Sequence, residues 1–217
     1  MALSRKIAHL HEAMIMEKWE RKSGMLLTEM TVGIVGLGTI GRSLSRKLNA
    51  LGVKRLLGWN RTLRDTVVES AAEHRVELCK LDNVLAESDA VVIALALAPE
   101  TKKLIDSKKL SLMKARAFLI NVSRGAVVDE EALADAVADG KIAGVALDVF
   151  SVEPPLQDPF SEPFMKKLIE CDRAGKSVIL SPHNAFFTEN AYKAISLHVA
   201  KNIVGVLEGA LDDVEMI

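Results

Sequence analysis

The chain has 217 residues, of which 49% are hydrophobic and 26% are charged, and this composition predicts a globular protein with a full-sized core. A net charge of −1 and an aromatic content of 4% argue against nucleic-acid binding, which needs a basic face or stacking platforms. Because no apolar run reaches the required length, we expect neither a membrane span nor a signal peptide. Cys79 and Cys171 lack metal-ligand spacing, so we expect reduced thiols in a cytoplasmic protein without a metal site.

The first predicted element is a helix over residues 2–21. Its apolar side chains recur at spacings of three and four residues and form one stripe: Leu3, Ile7, Leu10 and Met14. No partner for this stripe is evident elsewhere in the chain. We therefore expect residues 1–24 to pack against a second copy of the chain or against another domain.

The next stretch, TVGIVGLGTIGRSLSRKL at residues 31–48, predicts a strand, a glycine-rich turn and a helix. In the G-x-G-x-x-G pattern, Gly36 permits the tight turn and Gly38 lets the backbone approach a pyrophosphate, while Gly41 lets the helix pack close to the strand. The helix N-terminus offers unpaired N–H groups and a partial positive charge to an anion. The pattern predicts dinucleotide binding, although a glycine-rich turn without a ligand can have the same spacing.

Further strand-like runs lie near residues 54–59, 89–97, 116–122, 142–148 and 177–181. Helical runs are predicted near residues 39–51, 62–73, 101–114, 129–139, 161–171 and 188–208. The runs at 90–98 and 117–122 are apolar on both faces, as buried parallel strands are. The alternation predicts an α/β fold with a Rossmann-type, doubly wound parallel sheet. This dinucleotide-binding domain is expected over residues 25–187, between flanking helices in residues 1–24 and 188–217.

The residues after the second strand bear on the choice of dinucleotide. A site that prefers NAD has an acidic side chain here to hold the ribose hydroxyls, whereas this chain has Asn60, Arg61 and Thr62. Arginine can bind a 2′-phosphate through paired hydrogen bonds, and a carboxylate would repel it. With Arg64 close by, the sequence favours NADP(H), with NAD(H) as the other candidate. A solvated loop arginine is the alternative interpretation of Arg61.

Three polar residues follow later strands, at the edge of the sheet where ligands of such folds bind. Arg124 is suited to hold an α-carboxylate and polarise a carbonyl, and His183 is suited to donate a proton as a hydride arrives. Glu153 would hydrogen-bond the second ring nitrogen of the histidine and favour its protonated form. Taken singly, each residue has an ordinary interpretation as a surface or turn residue. Their shared placement is what suggests reduction of a carbonyl.

Five segments resemble the D-isomer-specific 2-hydroxyacid dehydrogenases: GLGTIGR (36–42), SDAVVIALALAPET (88–101), INVSRGAVVDEEAL (120–133), GKIAGVALDVFSVEPP (140–155) and SPHNAFFT (181–188). The resemblance implies hydride transfer between a nicotinamide and a 2-oxo or 2-hydroxy acid. It assigns catalysis to Arg124, Glu153 and His183, and a contact with the nicotinamide carboxamide to Asp148. The full set of residues expected to bind cofactor is Gly36, Gly38, Thr39, Ile40, Gly41, Asn60, Arg61, Thr62, Ala98, Val122 and Asp148.

Two features of the resemblance point to different substrates. The run Asn60-Arg61-Thr62 is similar to NADPH-using glyoxylate/hydroxypyruvate reductases. The segment PHNAFFT is more like D-lactate dehydrogenases, in which an aromatic residue there lines the substrate pocket. Glyoxylate, hydroxypyruvate and pyruvate are therefore all candidate substrates. The family usually has Pro and Thr where this chain has Ala96 and Ala98, and Ala98 removes a hydroxyl that could face the cofactor.

The resemblance also implies a separate substrate domain ahead of the first helix, and the predicted elements leave no residues to form it. We therefore expect this chain to bind cofactor and to reduce substrate poorly, because domain closure excludes water in the family. The matching helix packs in the family's dimer, so a homodimer is expected.

Two other functions stay open. One is a dinucleotide-responsive scaffold like the C-terminal-binding-protein corepressors, which share this fold. Asn60 and Arg61 argue against an NADH sensor of that kind, since such a sensor would need an acidic residue there. The other is a truncated form that binds cofactor without turnover.

Overall fold

The computed structural model describes residues 1–154 and 158–207. The chain forms two compact units, Met1–Pro182 and His183–Ile217. Pro155 of the segment 140–155, and residues 208–217 of the predicted C-terminal region, lie outside the described residues.

Seven parallel strands form one sheet in the first unit, in the order β3-β2-β1-β4-β5-β6-β7. They are β1 (Thr31–Val35), β2 (Arg55–Trp59), β3 (Val76–Leu78), β4 (Ala90–Ile93), β5 (Phe118–Asn121), β6 (Gly144–Leu147) and β7 (Ser177–Leu180). The strand order reverses between β1 and β4, and doubly wound sheets bind ligands in the crevice at such a reversal. The predicted α/β, doubly wound parallel fold is confirmed.

Helices flank the sheet and carry its two apolar cores. They are α1 (Ile7–Ile15), α2 (Thr39–Ala50), α3 (Asp65–Glu73), α4 (Leu81–Glu87), α5 (Ser107–Ser111), α6 (Glu130–Ala138) and α7 (Pro163–Arg173), and α8 (Glu189–Leu207) lies in the second unit. Neighbouring strand residues such as Ile34 and Val35 enter different cores, because successive side chains face opposite sides of a sheet. Leu133 of α6 and Leu168 of α7 are fully buried in the core that contains Val35.

The strands end level with one another at their carboxyl ends. Val35 pairs with Trp59 and with Ile93, Ile93 pairs with Asn121, and the same register continues through β6 and β7. The residues that follow the strands therefore form one row along this edge: Gly36, Asn60, Ala94, Val122, Asp148 and Ser181. Backbone hydrogen bonds continue one residue further here, since the Gly36 N–H donates to the Trp59 carbonyl at 2.8 Å. This row is the platform on which the candidate site is built.

The N-terminal helix is shorter than predicted. Instead of residues 2–21, α1 spans Ile7–Ile15. The backbone is left-handed at Lys6 (φ 51°) and at Glu17 (φ 58°), and this conformation interrupts a right-handed helix on both sides.

The predicted apolar stripe is divided between two environments. Leu3 is buried in the core beside Ile34, whereas Ile7 and Met14 are more than half exposed. The prediction that the stripe lacks a partner within the chain is therefore wrong for Leu3. The apolar face of the sheet is a stronger determinant of its position than the helical spacing.

The sequence patterns missed β3 and α4, between residues 76 and 87. With three residues at the edge of the sheet, β3 is too short to show alternation, and its central Glu77 pairs with Arg55 of β2 at 2.6 Å. The strand predicted near 89–97 is shorter in the structure. It ends at Ile93, level with the neighbouring strands.

The helix predicted over residues 101–114 is also shorter, because α5 begins at Ser107 and ends at Ser111. Lys103 has a left-handed backbone (φ 50°), so the chain cannot continue as a helix through it. Asp106 caps the new helix by accepting the Lys109 N–H at 2.8 Å.

The last helix was predicted close to its observed position. In the second unit α8 spans Glu189–Leu207, and none of its residues is buried. Across residues 1–154 and 158–207, none of the helices combines the length and the apolar character needed to cross a membrane.

The glycines of the turn after β1 have different surroundings. Gly36 has a φ of 106°, and a Cβ on it would lie 2.6 Å from the carbonyl oxygen of Ala94. A Cβ on Gly41 would lie 1.9 Å from the carbonyl oxygen of Gly36, so α2 approaches the strand this closely because position 41 is glycine. A Cβ on Gly38 would meet no protein atom within 4 Å. Two of the three glycines are thus required by the fold, and Gly38 leaves open space.

This difference predicts losses of different size for two alanine variants. Gly41→Ala should lower the free energy of unfolding by about 1–3 kcal/mol, since a backbone carbonyl must move to admit the methyl group. This loss should outweigh the gain of up to about 1 kcal/mol from the helix propensity of alanine. Gly38→Ala should lose less, because it gives up only the modest advantage of glycine at an N-cap. Urea unfolding followed by circular dichroism measures both, and equal losses would contradict the assignment.

Candidate functional site

Asn60 links the turn after β1 to the loop after β2. Its Oδ1 accepts the Leu37 N–H at 2.9 Å, and its Nδ2 donates to the Thr62 carbonyl at 2.7 Å. Both ends of the amide are thus engaged within the protein. The structure places this predicted cofactor-binding residue where it fixes the glycine-rich turn.

A cleft of about 280 Å³ lies between this turn and the loop that follows β2. Its lining includes Gly36, Leu37, Gly38, Arg42, Asn60, Arg61, Thr62, Arg64, Ala94, Leu95, Ala96 and Thr101. Three of these residues are arginines, and no lining residue in the described part of the chain carries a carboxylate. Such a cleft attracts an anion.

The N-terminus of α2 at this cleft fits a phosphate group. No side chain caps the helix, and its first turn has no acidic residue. The N–H groups and the positive end of the helix dipole are therefore not engaged by a side chain of the helix. Gly38 is the N-cap and leaves open space where a side chain would otherwise stand. These observations fit a pyrophosphate held by the first N–H groups of α2.

The turn after β4 forms another side of the cleft. The hydroxyl of Thr101, which is buried, donates to the Ala96 carbonyl at 2.9 Å and accepts the Ala98 N–H at 2.7 Å. Its neighbour Glu100 points to Arg61, with 2.9 Å between Oε2 and Nη1. Ala98, which we expected near the cofactor, serves here through its backbone as the first residue of the turn.

Three other predicted cofactor residues border a second, apolar hollow. Thr39, Ile40 and Val122 line this space of about 760 Å³, together with Phe118 and Ile120 of β5. Of the eleven predicted cofactor residues, five line the polar cleft and three line the apolar hollow, whereas Gly41, Ala98 and Asp148 line neither.

Arg124 stands on a tight turn after β5. Asn121, which is buried, accepts the N–H of Ser123 at 3.0 Å and its hydroxyl at 2.8 Å, and donates to the Arg124 carbonyl at 3.0 Å. The guanidinium of Arg124 donates to the Ser123 carbonyl at 2.7 Å, and the residue is exposed. A braced backbone thus presents a cation at the surface.

The Arg124 turn packs directly against the loop that carries Glu153. A Cβ on Gly125 would lie 2.0 Å from the carbonyl carbon of Phe150, so the two backbones touch. Glu153 accepts the Phe150 N–H at 2.9 Å through Oε1. The structure thus brings Arg124 and Glu153 onto adjoining loops of the first unit.

Glu130 supports this loop and was missed by sequence reasoning. It is buried, accepts the Ser151 N–H at 2.9 Å and also accepts the Ser151 hydroxyl. Burial raises the pKa of Glu130 above its ordinary value, although the bonds from Ser151 oppose the rise. Its burial could have been predicted from its position, because Glu130 lies three residues before the buried Leu133 and therefore on the same face of α6.

Asp148 also lies in the row of strand ends. It is buried, and its Oδ1 accepts the Ser181 hydroxyl at 2.5 Å. The bond fixes the carboxylate between the ends of β6 and β7.

His183 begins the second unit, so the unit boundary separates it in the chain from Arg124 and Glu153. Its backbone is left-handed (φ 51°), a conformation that few non-glycine residues adopt. Its ring meets Phe186 edge to face, with centroids 5.5 Å apart, and Phe186 meets Phe187 in the same way at 5.9 Å. The imidazole of His183 therefore lies beside a cluster of aromatic rings.

No metal centre accompanies these groups in residues 1–154 and 158–207, where no three His, Cys, Asp or Glu side chains gather closely enough to hold an ion.

Comparisons with known proteins agree with this architecture. Residues 1–185 match the family described as "D-isomer specific 2-hydroxyacid dehydrogenase, NAD binding domain". The D-3-phosphoglycerate dehydrogenase of Methanocaldococcus jannaschii is 34% identical, over 97% of this chain and 38% of its own length. The human glyoxylate reductase/hydroxypyruvate reductase is 37% identical, over 86% of this chain and 52% of its own.

Among solved structures, a D-lactate dehydrogenase from Aquifex aeolicus complexed with NAD and lactic acid superposes with a TM-score of 0.85 at 27% identity. The match covers 100% of this chain and 67% of that protein. The chain spans about a third to a half of the length of the curated relatives that it matches. On this match the chain belongs to the NAD-binding domain family of the D-isomer-specific 2-hydroxyacid dehydrogenases.

Proposed function

We propose that this chain is the cofactor-binding part of an NADP(H)-dependent reductase of small 2-oxo acids. One observation carries the cofactor preference: Arg42, Arg61 and Arg64 line a cleft beside an uncapped helix N-terminus, and none of the described lining residues carries a carboxylate, the nearest being that of Glu100, which pairs with Arg61 at the edge of the cleft. Family membership supports the reaction class, and the names of the relatives support glyoxylate, hydroxypyruvate or pyruvate as substrate.

The cofactor would be held by cationic side chains and by unpaired backbone N–H groups. The first N–H groups of α2 would bind the pyrophosphate above Gly38, and Arg61 with Thr62 and Arg64 would bind the 2′-phosphate of NADP(H). Asn60 should support NADH less well than a carboxylate would, because its one carbonyl oxygen already accepts the Leu37 N–H and carries no negative charge. A carboxylate at position 60 could accept that N–H and still hold a ribose hydroxyl.

In the proposed reaction a bound, reduced nicotinamide would supply the hydride that the carbonyl carbon of the substrate accepts. Arg124 binds the substrate carboxylate and polarises the carbonyl group. His183 donates a proton to the carbonyl oxygen, which becomes the hydroxyl of the product. Glu153 would accept a hydrogen bond from the second ring nitrogen of the imidazole, and Asp148 would accept one from the carboxamide of the cofactor.

The proposed substrate class is supported by a cation for the carboxylate and by apolar rings beside the histidine. Phe186 and Phe187 would contact a small side chain at C3, which suits pyruvate, whereas the Asn60-Arg61-Thr62 run resembles that of glyoxylate and hydroxypyruvate reductases. All three acids share the 2-oxo carboxylate that this chemistry requires, so we propose the class and not a single member.

A homodimer is part of the proposal, because Ile7 and Met14 of α1 are more than half exposed. Met14→Lys should shift the chain toward the monomer in sedimentation velocity, since a buried ammonium at a contact is costly. Ser107→Lys, on the exposed start of α5, is the control and should leave the distribution unchanged. A wild-type chain that sediments as a monomer at all concentrations would contradict the dimer.

The cofactor preference predicts a selective effect of one arginine. Arg61→Ala should weaken NADPH binding by about 1–3 kcal/mol through loss of a charge-assisted contact, and should leave NADH nearly unchanged. Fluorescence titration of the 217-residue chain measures both dissociation constants. Arg46→Ala, which removes an exposed arginine outside the cleft, is the matched control. Wild-type binding of NADH as tight as that of NADPH would sink the proposed preference.

The catalytic assignments predict three different kinetic results in a chain extended to the length of its relatives. His183→Ala should lower kcat about 10²–10⁴-fold, the usual contribution of a general acid. Arg124→Ala should raise KM for the 2-oxo acid as well as lower kcat, because it binds the carboxylate before and during reaction. Glu153→Gln should lower kcat with little change in KM.

Steady-state assays with glyoxylate, hydroxypyruvate and pyruvate distinguish these outcomes, and His74→Ala, at the C-terminal end of α3, is the control for loss of a histidine. Wild-type rates in His183→Ala would falsify the proton-donor assignment. The unextended 217-residue chain should bind cofactor and show little turnover.

A further inference from the structure

Arg61 has an anionic partner inside the protein. Its Nη1 lies 2.9 Å from Oε2 of Glu100, and the two side chains are 54% and 65% exposed. Arg61 follows β2 and Glu100 follows β4, and these strands are the two neighbours of β1. The ion pair therefore joins the segments on either side of the glycine-rich turn, at the edge of the polar cleft.

The carboxylate is held there by a fixed turn. Thr101 is buried, and its hydroxyl bonds to both Ala96 and Ala98 within the turn that carries Glu100. On the other side, Asn60 fixes the backbone next to Arg61 through Leu37 and Thr62. Both backbones are thus anchored, so the two side chains extend toward each other from braced positions.

A 2′-phosphate and the Glu100 carboxylate would compete for the same guanidinium. A phosphate can be bound by arginine through paired hydrogen bonds, whereas an exposed ion pair between side chains contributes little to stability. The phosphate should therefore displace the carboxylate, which then remains close to it as a like charge. NADH has no group that requires this exchange.

We propose that Glu100 is a specificity-determining residue, which lowers the affinity of the cleft for the 2′-phosphate of NADP(H) and leaves NADH binding unaffected. The inference rests on the proposed NADP(H) site. It adds an internal competitor that sets how strongly the chain discriminates between the two cofactors.

The test uses the 217-residue chain and its variants Glu100→Gln, Arg61→Ala and the double variant. NADPH and NADH are titrated by fluorescence, and 2′-AMP is used as a competing probe for the phosphate subsite. Glu131→Gln, which removes one exposed carboxylate from α6, controls for the change in net charge. Thermal unfolding confirms that each variant is folded.

Glu100→Gln should tighten NADPH and 2′-AMP binding about two- to fivefold, the range that an exposed ion pair contributes, with NADH unchanged. The gain should shrink in the Arg61→Ala background, because the guanidinium for which the two anions compete is gone. Glu131→Gln should change neither cofactor.

The result that overturns the inference is an unchanged NADPH affinity in Glu100→Gln, or an equal gain for NADH. The Arg61→Ala variant separates this failure from failure of the proposed function. If Arg61→Ala weakens NADPH while Glu100→Gln has no effect, the competitor role alone is wrong. If Arg61→Ala binds NADPH as well as wild type, the NADP(H) site itself is wrong.

Discussion

The common register of the parallel strands is the constraint on which the site depends. Because the strands end level, the residues that follow them stand in one row, and each begins a loop at the ligand-binding edge. Short polar side chains at this edge then fix the loops. Asn60 holds the glycine-rich turn, Asn121 holds the Arg124 turn, and Asp148 accepts the hydroxyl of Ser181. The backbone is thereby fixed before any ligand arrives.

Buried braces and exposed cations have different energetic roles. Removing one partner from a buried hydrogen bond costs about 1–3 kcal/mol, so side chains such as Asn121 are retained in one arrangement. Arg61 is more than half exposed, and an ion pair of that kind is worth about 0–1 kcal/mol. Its partner can therefore be exchanged at little cost. A braced backbone whose cationic side chains can change their ion-pair partners is suited to bind an anionic cofactor and release it.

Local patterns in the sequence were enough to predict the fold and the glycine-rich turn. The strand, the turn at Gly36 and the helix α2 follow one another within a short segment, so their signals need no knowledge of distant contacts. The prediction for the N-terminal apolar stripe was wrong at Leu3, because this residue lies outside α1 and is positioned by the face of the sheet. The strand β3 was missed because three residues are too few to show a periodic pattern.

Residue types at the site could be predicted, whereas their partners could not. The sequence placed Asn60 near a cofactor, but its bond to Leu37 joins residues 23 positions apart. The contact of Glu130 with Ser151 joins residues 21 positions apart, and the pair Arg61–Glu100 joins residues 39 apart. A single sequence contains no record of such pairings. The internal partners of Asn60, Arg61 and Glu130 therefore could not be predicted from the sequence.

The two proposed activities have different structural requirements. The polar cleft is lined by residues of the first unit, and its braces are formed there, so we expect cofactor binding to depend mainly on that unit. The proposed proton donor, His183, belongs to the second unit, whose helix α8 exposes an apolar stripe at helical spacing: Tyr192, Ile195, Val199, Ile203 and Val206. A helix with such a stripe gains most of its stability by packing against another surface. Binding of the cofactor should therefore be the more robust property of this chain. Turnover should depend on whatever surface covers that stripe and fixes the histidine.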